Sequence, residues 1–269
     1  MMQDRPGAVV IIAAHKQCPL PADAIYMPVQ VGAALHPDIG YCRDDTGENI
    51  SRKNPEYSEL TGLYWMWKNV DADYLGLVHY RRYFVARKKR KCALSDVLSS
   101  EQLYALIPQY RVIVPRRTKY YIESLYSHYS HTFYEDHLIE TRKIIQSRCP
   151  EYTDVYDRTL RQRYGFMYNM VIMERGLLDE YCAWLFDILS ELEERVDTEN
   201  MSAFHRRFCG RISERLFNVW LNYQLETGRL SRGDIRELPY MYLGEVNWFR
   251  KITSFLMAKV CHRKYEKSF

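Results

Sequence analysis

Short apolar runs alternate along this chain with turn-rich stretches and helical periodicities. Ala8–Ala14 (AVVIIAA) is β-branched and continuous, the pattern of a parallel strand buried on both faces. Tyr26–Leu35 reads as a short extended piece, and Pro28 argues against a central strand. Residues 36–54 carry Pro37, Gly40 and Gly47 and read as one loop. Asn54-Pro55 then predicts a helix start, with Tyr57, Leu60, Tyr64 and Trp67 on one helical face. A break at 69–73 leads into Tyr74–Val78, a second buried strand. Further on, 94–106, 120–147 and 151–163 read as helical, and 111–115 (RVIVP) as a strand. Phe166–Met173 reads as a buried strand interrupted by Asn169. A strongly amphipathic helix is expected over 176–196, another over 202–221, and a late strand containing Pro239 over 235–243. In the tail, Trp248, Phe249, Ile252, Phe255 and Leu256 fall at helical spacing among Lys and Arg. That is the pattern of a basic amphipathic helix lying in a membrane interface. Strands alternating with helices predict an α/β fold: a mainly parallel sheet flanked by helices, with a helical C-terminal part.

The second strand runs directly into His79, Tyr80, Arg81, Arg82 and Tyr83. Two guanidinium groups and an imidazole at a buried strand end are costly without partners. Open α/β sheets bind ligands at the carboxyl ends of their strands, and an arginine fork suits phosphate through paired hydrogen bonds. The plain alternative is that the arginines pair with acidic side chains and the tyrosines pack. His15 and Lys16 close the first strand at the same edge. Asp71-Ala72-Asp73 precedes its strand and so sits at the opposite edge, away from any ligand there. Arg116, Arg117 and Lys119 form a second cationic cluster. His128, His131 and His137 lack the carboxylate pairing of a zinc site. Glu214 stands near the start of an apolar helical pattern, where its plain reading is a surface glutamate on an amphipathic helix. Arg207 and Arg211, one turn apart, either take phosphate or pair with Glu214.

Composition narrows the picture. The chain has 269 residues, 47% of them hydrophobic, enough for one large α/β domain. Its 23 tyrosines suit polar-ligand clefts as well as cores. A net charge of +4 permits an anionic partner and proves none. Seven cysteines without a CxxC pair point to reduced thiols in a cytoplasmic protein. The N-terminal apolar run is too short for a signal peptide, and no run approaches the ~18 residues of a membrane span. The basic block at 87–91 is a solvated loop or a contact with an anionic surface. Glycine-rich phosphate loops and a nucleophile elbow are missing, which weakens dehydrogenase, kinase and hydrolase readings. No nucleic-acid motif accompanies the basic blocks, so nucleic acid is not an expected partner.

The chain closely resembles a bacterial family first catalogued as a domain of unknown function. The resemblance is carried by AAHK at 13–16, DDTGENIS at 44–51, KNPEYSELTGLYWMWKN at 53–69, DADYLGLVHYRRYF at 71–84, SLYSHYSHTFYEDHL at 124–138, MYNMVIM at 167–173 and SERLFNVWL at 213–221. Members sit in capsule, exopolysaccharide and O-antigen clusters and are regarded as GT-A-like glycosyltransferases, some of them galactofuranosyltransferases. The resemblance implies a GT-A-like (Rossmann-like) domain over 1–245, followed by the basic helix at 246–269. It implies transfer of a hexose, galactofuranose or galactose, from a UDP-linked or other nucleoside-diphosphate donor to a lipid-linked glycan at the inner leaflet. Protein of this kind is cytoplasmic and peripheral on the inner face of the membrane. Arg81 and Arg82 are then expected to stabilise the leaving diphosphate and Glu214 to act as base, with inversion. His15, Lys16, Asp44, Asp45, Asn49, His79, Tyr80 and Asn169 are expected on the donor, and His128, His131 and Arg207 on the acceptor. With arginines where GT-A enzymes carry a metal-binding DxD, a divalent metal (Mn or Mg) is not favoured. The alternative is a non-catalytic glycan- or nucleotide-binding scaffold of an assembly complex, which tolerates loss of Glu214.

Overall fold

The computed structural model describes residues 7–89 and 92–243. The helix expected at 246–269, with its membrane-interface reading and the boundary at 245, lies outside the described residues. Among the described residues no helix is long and apolar enough to cross a membrane.

The first half of the chain forms β1 (Ala8–Ala14), β2 (Tyr26–Gln30), β3 (Cys42–Arg43), α1 (Asn54–Tyr57), α2 (Leu60–Asn69), β4 (Tyr74–His79), β5 (Arg82–Phe84), α3 (Ser100–Leu106) and β6 (Val112–Pro115). The second half forms β7 (Thr118–Lys119), α4 (Leu125–Thr132), α5 (Asp136–Arg148), α6 (Thr153–Leu160), β8 (Tyr164–Gly165), β9 (Val171–Glu174), α7 (Arg175–Arg195), α8 (Ala203–Arg206), α9 (Phe208–Glu226), β10 (Ile235–Leu238) and β11 (Tyr240–Tyr242). The central sheet has nine strands, in the order β10-β6-β9-β4-β1-β2-β3, with β5 pairing β4 and β11. Neighbours run parallel from β4 through β1 and β2 to β3, and between β6 and β10. Strand β9 is antiparallel between β4 and β6. Pro28 stands in β2 beside Ile12, but β3 pairs only with Val29 and Gln30. The missing N–H of Pro28 therefore faces no partner strand on the β3 side.

Side chains alternate between two cores, as the two-residue repeat of a strand requires. Ile11, Leu75, Leu77, Val112 and Val114 face one core, together with Trp65, Leu185 and Trp220 of the helical layer. Val10, Ile12, Val78, Ile113 and Ile172 face the other, with Phe84, Leu98 and Leu103. Gly76 sits where the strands press closest. A Cβ there would lie 2.8 Å from Ile172 Cγ1 and 3.1 Å from the Val171 carbonyl.

Several expected elements are divided. The single helix from Asn54 splits into α1 and α2 because Ser58 adopts φ 54°. Asn54 is inside α1 and is no cap; its Nδ2 donates across the break to the Ser58 carbonyl at 2.7 Å. The helix expected over 94–106 is a 3₁₀ turn at 94–96 followed by α3, and that over 151–163 shortens to α6. The helix expected over 120–147 becomes α4 and α5, and Tyr121 lies exposed before α4. The strand expected from Phe166 begins only at Val171, because Tyr168 and Asn169 take φ 76° and 52°. The late strand divides at Pro239 into β10 and β11, which pair with different partners.

Candidate functional site

Strand β4 ends at His79, Tyr80-Arg81 form a two-residue turn, and the chain doubles back as β5 with His79 opposite Arg82. The turn is pinned by Leu243, whose N–H donates to the Arg81 carbonyl at 2.8 Å. The two arginines thus stand on different sides of a hairpin. Arg82 lies with its guanidinium 4.6 Å from the Tyr168 ring and 5.4 Å from that of Tyr242. Arg81 is exposed, 5.0 Å from the Tyr80 ring, with Nη1 3.5 Å from the Tyr242 hydroxyl. Neither arginine makes an ion pair with a carboxylate among the described residues. By contrast, Arg117 of the second cationic cluster is neutralised by Glu237 at 2.6 Å.

His15 and Lys16, at the end of β1, close around the same tyrosine. The His15 ring stands edge-on to Tyr80 at 5.0 Å and Lys16 Nζ is 5.9 Å from its centre. Burial lowers the His15 pKa below its ordinary value, and the positive charges of Lys16, Arg207 and Arg81 lower it further. The edge is therefore positive before any ligand arrives.

Glu214 lies on α9, with 19% of its side chain exposed. Its Oε1 accepts from the Tyr168 N–H at 2.8 Å, and Oε2 accepts from Arg215 Nη1 at 2.8 Å. Burial raises its pKa above the usual glutamate range, opposed by Arg215 and Arg82 and assisted by Glu59. The other face of the same turn holds His79, whose Nε2 contacts the Tyr168 carbonyl. Burial lowers the His79 pKa. The backbone N–H and carbonyl of one residue, Tyr168, thus touch the candidate base and the end of β4, while the Tyr168 ring lies against Arg82.

Asn169 anchors that turn. Its Nδ2 donates to Glu59 Oε1 at 2.6 Å and to the Gly210 carbonyl at 2.8 Å, and its Oδ1 accepts from the Ser213 hydroxyl at 2.9 Å. Its amide is thus engaged by protein groups, which fix α9 to the start of α2. Arg207 Nε donates to Ser58 Oγ at 2.9 Å, beside the break between α1 and α2. Among the described residues the three non-glycine positions with positive φ are Ser58, Tyr168 and Asn169, and all three border this site. Such backbone costs on the order of 1–3 kcal/mol per residue and concentrates where geometry matters for function.

The remaining expected residues lie elsewhere. Asp44 is fully buried, and its carboxylate accepts from the Gly32 and Ala33 N–H groups at 2.9 Å each and from Ser51 Oγ. Gly32 offers those N–H groups from φ 68°, where a Cβ would strike Asn54 at 2.7 Å. Asp44 is therefore a loop staple, with its carboxylate engaged by three protein donors. Replacing it with alanine strands three donors, and we expect a loss of about 3 kcal/mol from the charged hydrogen bonds. Thermal denaturation checks this; unchanged stability with an altered donor KM would restore the sugar-binding role. Asp45 is held by Arg43 through two bonds at 3.1 and 2.7 Å. Asn49 folds into its own loop, donating to the Gly47 carbonyl at 2.9 Å. That loop docks on the far half of α2, where Trp65 Nε1 donates to Thr46 and Glu48 accepts from Tyr64. His131 is 2.8 Å from Glu123, whereas His128 sits beside Arg215 at 3.4 Å, one side chain from Glu214. His137 is buried against the Tyr129 hydroxyl. Among the described residues no group of three or more His, Cys, Asp or Glu converges to hold a metal ion.

The sequence reading missed Glu59, Tyr168 and Tyr242. Glu59 carried no signal, being one acidic residue at a helix start. An Asn inside an apolar run was the available signal for a left-handed turn, since Asn tolerates positive φ better than its neighbours.

The fold is GT-A-like. The chain superposes with TM-score 0.81 and 28% identity on the apo structure of WbbM, a bifunctional glycosyltransferase, covering 89% of this chain and 46% of that one. The chain thus spans less than half the length of that protein. No curated protein matches. The family described as a domain of unknown function, DUF4422, matches residues 9–225, and the chain belongs to that family.

Proposed function

We propose that this chain is a glycosyltransferase that moves a hexose from a nucleoside-diphosphate sugar to a glycan acceptor. The observation that carries the reading is the pair Arg81 and Arg82, without carboxylate partners among the described residues at the ligand edge of the sheet, beside a half-buried glutamate of raised pKa. The similarity to WbbM supports the same class. Arg81 and Arg82 take the diphosphate, with His15, Lys16, His79 and Tyr80 around the nucleotide end. Glu214 removes the proton from the acceptor hydroxyl, that oxygen forms the new bond at the anomeric carbon, and the diphosphate leaves with the bonding electrons. The arginines meet the charge that develops on the leaving oxygens, and so lower the barrier rather than merely binding substrate. Direct displacement by the acceptor inverts the anomeric centre. The donor is UDP-linked and the sugar galactofuranose or galactose, the acceptor is a lipid-linked polysaccharide of capsule, O-antigen or exopolysaccharide synthesis, and the enzyme works in the cytoplasm at the inner leaflet. The guanidinium groups stand in for a divalent metal in this reading.

The test is transfer itself. Purified chain is incubated with a panel of UDP-, GDP- and TDP-sugars and glycan acceptors, and nucleotide release and glycosylated product are followed together. We expect one UDP-hexose to give product of inverted configuration. Product of retained configuration removes direct displacement, and tight nucleotide binding without product from any pair favours the scaffold.

A further inference from the structure

Helix α9 opens with three arginines one turn apart, and their surroundings differ. The Arg215 side chain is 2% exposed and is paired with Glu214. The Arg211 guanidinium lies against two phenyl rings, 4.0 Å from the centre of Phe133 and 3.9 Å from that of Phe204, whose own centres are 5.9 Å apart. Among the described residues it has no hydrogen-bond acceptor and no carboxylate partner. Burial, together with the charges of Arg207 and Arg215, pushes its pKa down to about 10. Arg207 spends Nε on Ser58 and is otherwise exposed, again without a carboxylate. The nearby carboxylate, Glu214, is occupied by Arg215 and the Tyr168 N–H.

A partly buried guanidinium next to two others is an uncompensated charge. Contact with aromatic rings returns about 0.5–2 kcal/mol and supplies no acceptor to its N–H groups. The rings cover part of Arg211 and leave N–H donors of its planar fork open, and such a fork binds an oxyanion through two parallel bonds. Arg207 adds charge at one side and also acts on His15 and His79, so this position adjoins the Arg81–Arg82 edge.

We propose that Arg211 and Arg207 form a second oxyanion site, which takes a phosphate-type group carried by the acceptor. The proposal rests on the reading that the donor diphosphate occupies Arg81 and Arg82. A charged acceptor held there would present its hydroxyl beside Glu214, the next turn of the same helix.

Inorganic pyrophosphate is titrated calorimetrically into the full chain already saturated with UDP. We expect binding to persist under UDP, to weaken at least tenfold in Arg211→Gln, Arg211→Lys and Arg207→Gln, and to remain in Arg81→Gln. The lysine variant keeps the charge and loses the planar fork. Arg207 is exposed, so its variant reports even if changes at Arg211 disturb folding, which circular dichroism checks. Pyrophosphate that UDP displaces completely, or that binds Arg211→Gln and Arg207→Gln as it binds the parent, overturns the proposal. If UDP itself does not bind, the donor reading fails, while titration of the UDP-free variants still decides whether Arg211 holds an oxyanion. Vesicles of phosphatidylglycerol form a separate arm: sedimentation that depends on Arg211 assigns the site to a lipid headgroup and overturns the acceptor assignment.

Discussion

Glu214→Gln lowers turnover by about 10²–10⁴-fold, the usual contribution of a positioned general base, while UDP binding stays within a few-fold of the parent. Glutamine keeps the shape and the acceptor oxygen facing the Tyr168 N–H, so the turn that holds His79 remains in place. What disappears is the proton acceptor. The variant also leaves Arg215 without its counter-charge at 2% exposure, so a fall in melting temperature is expected, and UDP binding is the control for fold. The pH dependence has a definite sign. Burial raises the Glu214 pKa, and the base works only when ionised. Activity is therefore full above that raised pKa and is lost as pH falls through it, with the acid limb above the ordinary glutamate range of roughly 4.3. The groups facing Glu214 are Arg215, Glu59, Arg82 and the Tyr168 N–H. Glu59→Gln removes a neighbouring negative charge, so it moves the acid limb to lower pH. Steady-state rates measured across pH check both signs.

Arg82→Ala lowers kcat by about 10²–10³-fold, the cost of removing one preorganised charge from a developing anion. It does so with a small effect on folding, because among the described residues Arg82 makes no ion pair and lies against the Tyr168 and Tyr242 rings. Arg81→Ala acts mainly on donor affinity, since the side chain stands exposed at the hairpin tip. The split between kcat and KM separates the two arginines. Arg82→Lys does not rescue, because an ammonium group lacks the planar fork and stacks less well on tyrosine. A raised donor KM with unchanged kcat at both positions would place both arginines on the ground-state diphosphate alone.

Much of the frame was legible because it rests on local composition. The apolar runs at 8–14, 74–78 and 112–115 can only be buried strands, and the polar groups after them can only sit at a sheet edge. His15, Lys16, His79, Tyr80, Arg81 and Arg82 do gather at one edge in the fold. The acidic loop was misleading because burial is not a local property. Asp44 and Asp45 are adjacent in sequence, yet one staples two backbone N–H groups inside the protein and the other clasps Arg43. Hairpin geometry was hidden too, since HYRRY has no glycine or asparagine to announce a two-residue turn. The left-handed backbone at Ser58 and Tyr168 is imposed by tertiary contacts against the preference of those residues, so no propensity argument reaches it. Glu59 becomes meaningful only through Asn169, which lies 110 residues away.

The most direct test of the central claim is thermal stability of the purified chain with UDP-sugars, in EDTA and in manganese. A ligand at a hundred times its Kd stabilises the fold by about 2.7 kcal/mol, a shift of several degrees for a domain of this size. The account predicts that one UDP-hexose gives this shift in EDTA as fully as in manganese, and that Arg81→Ala with Arg82→Ala abolishes it. A shift that appears only with manganese, or that survives the loss of both arginines, contradicts it.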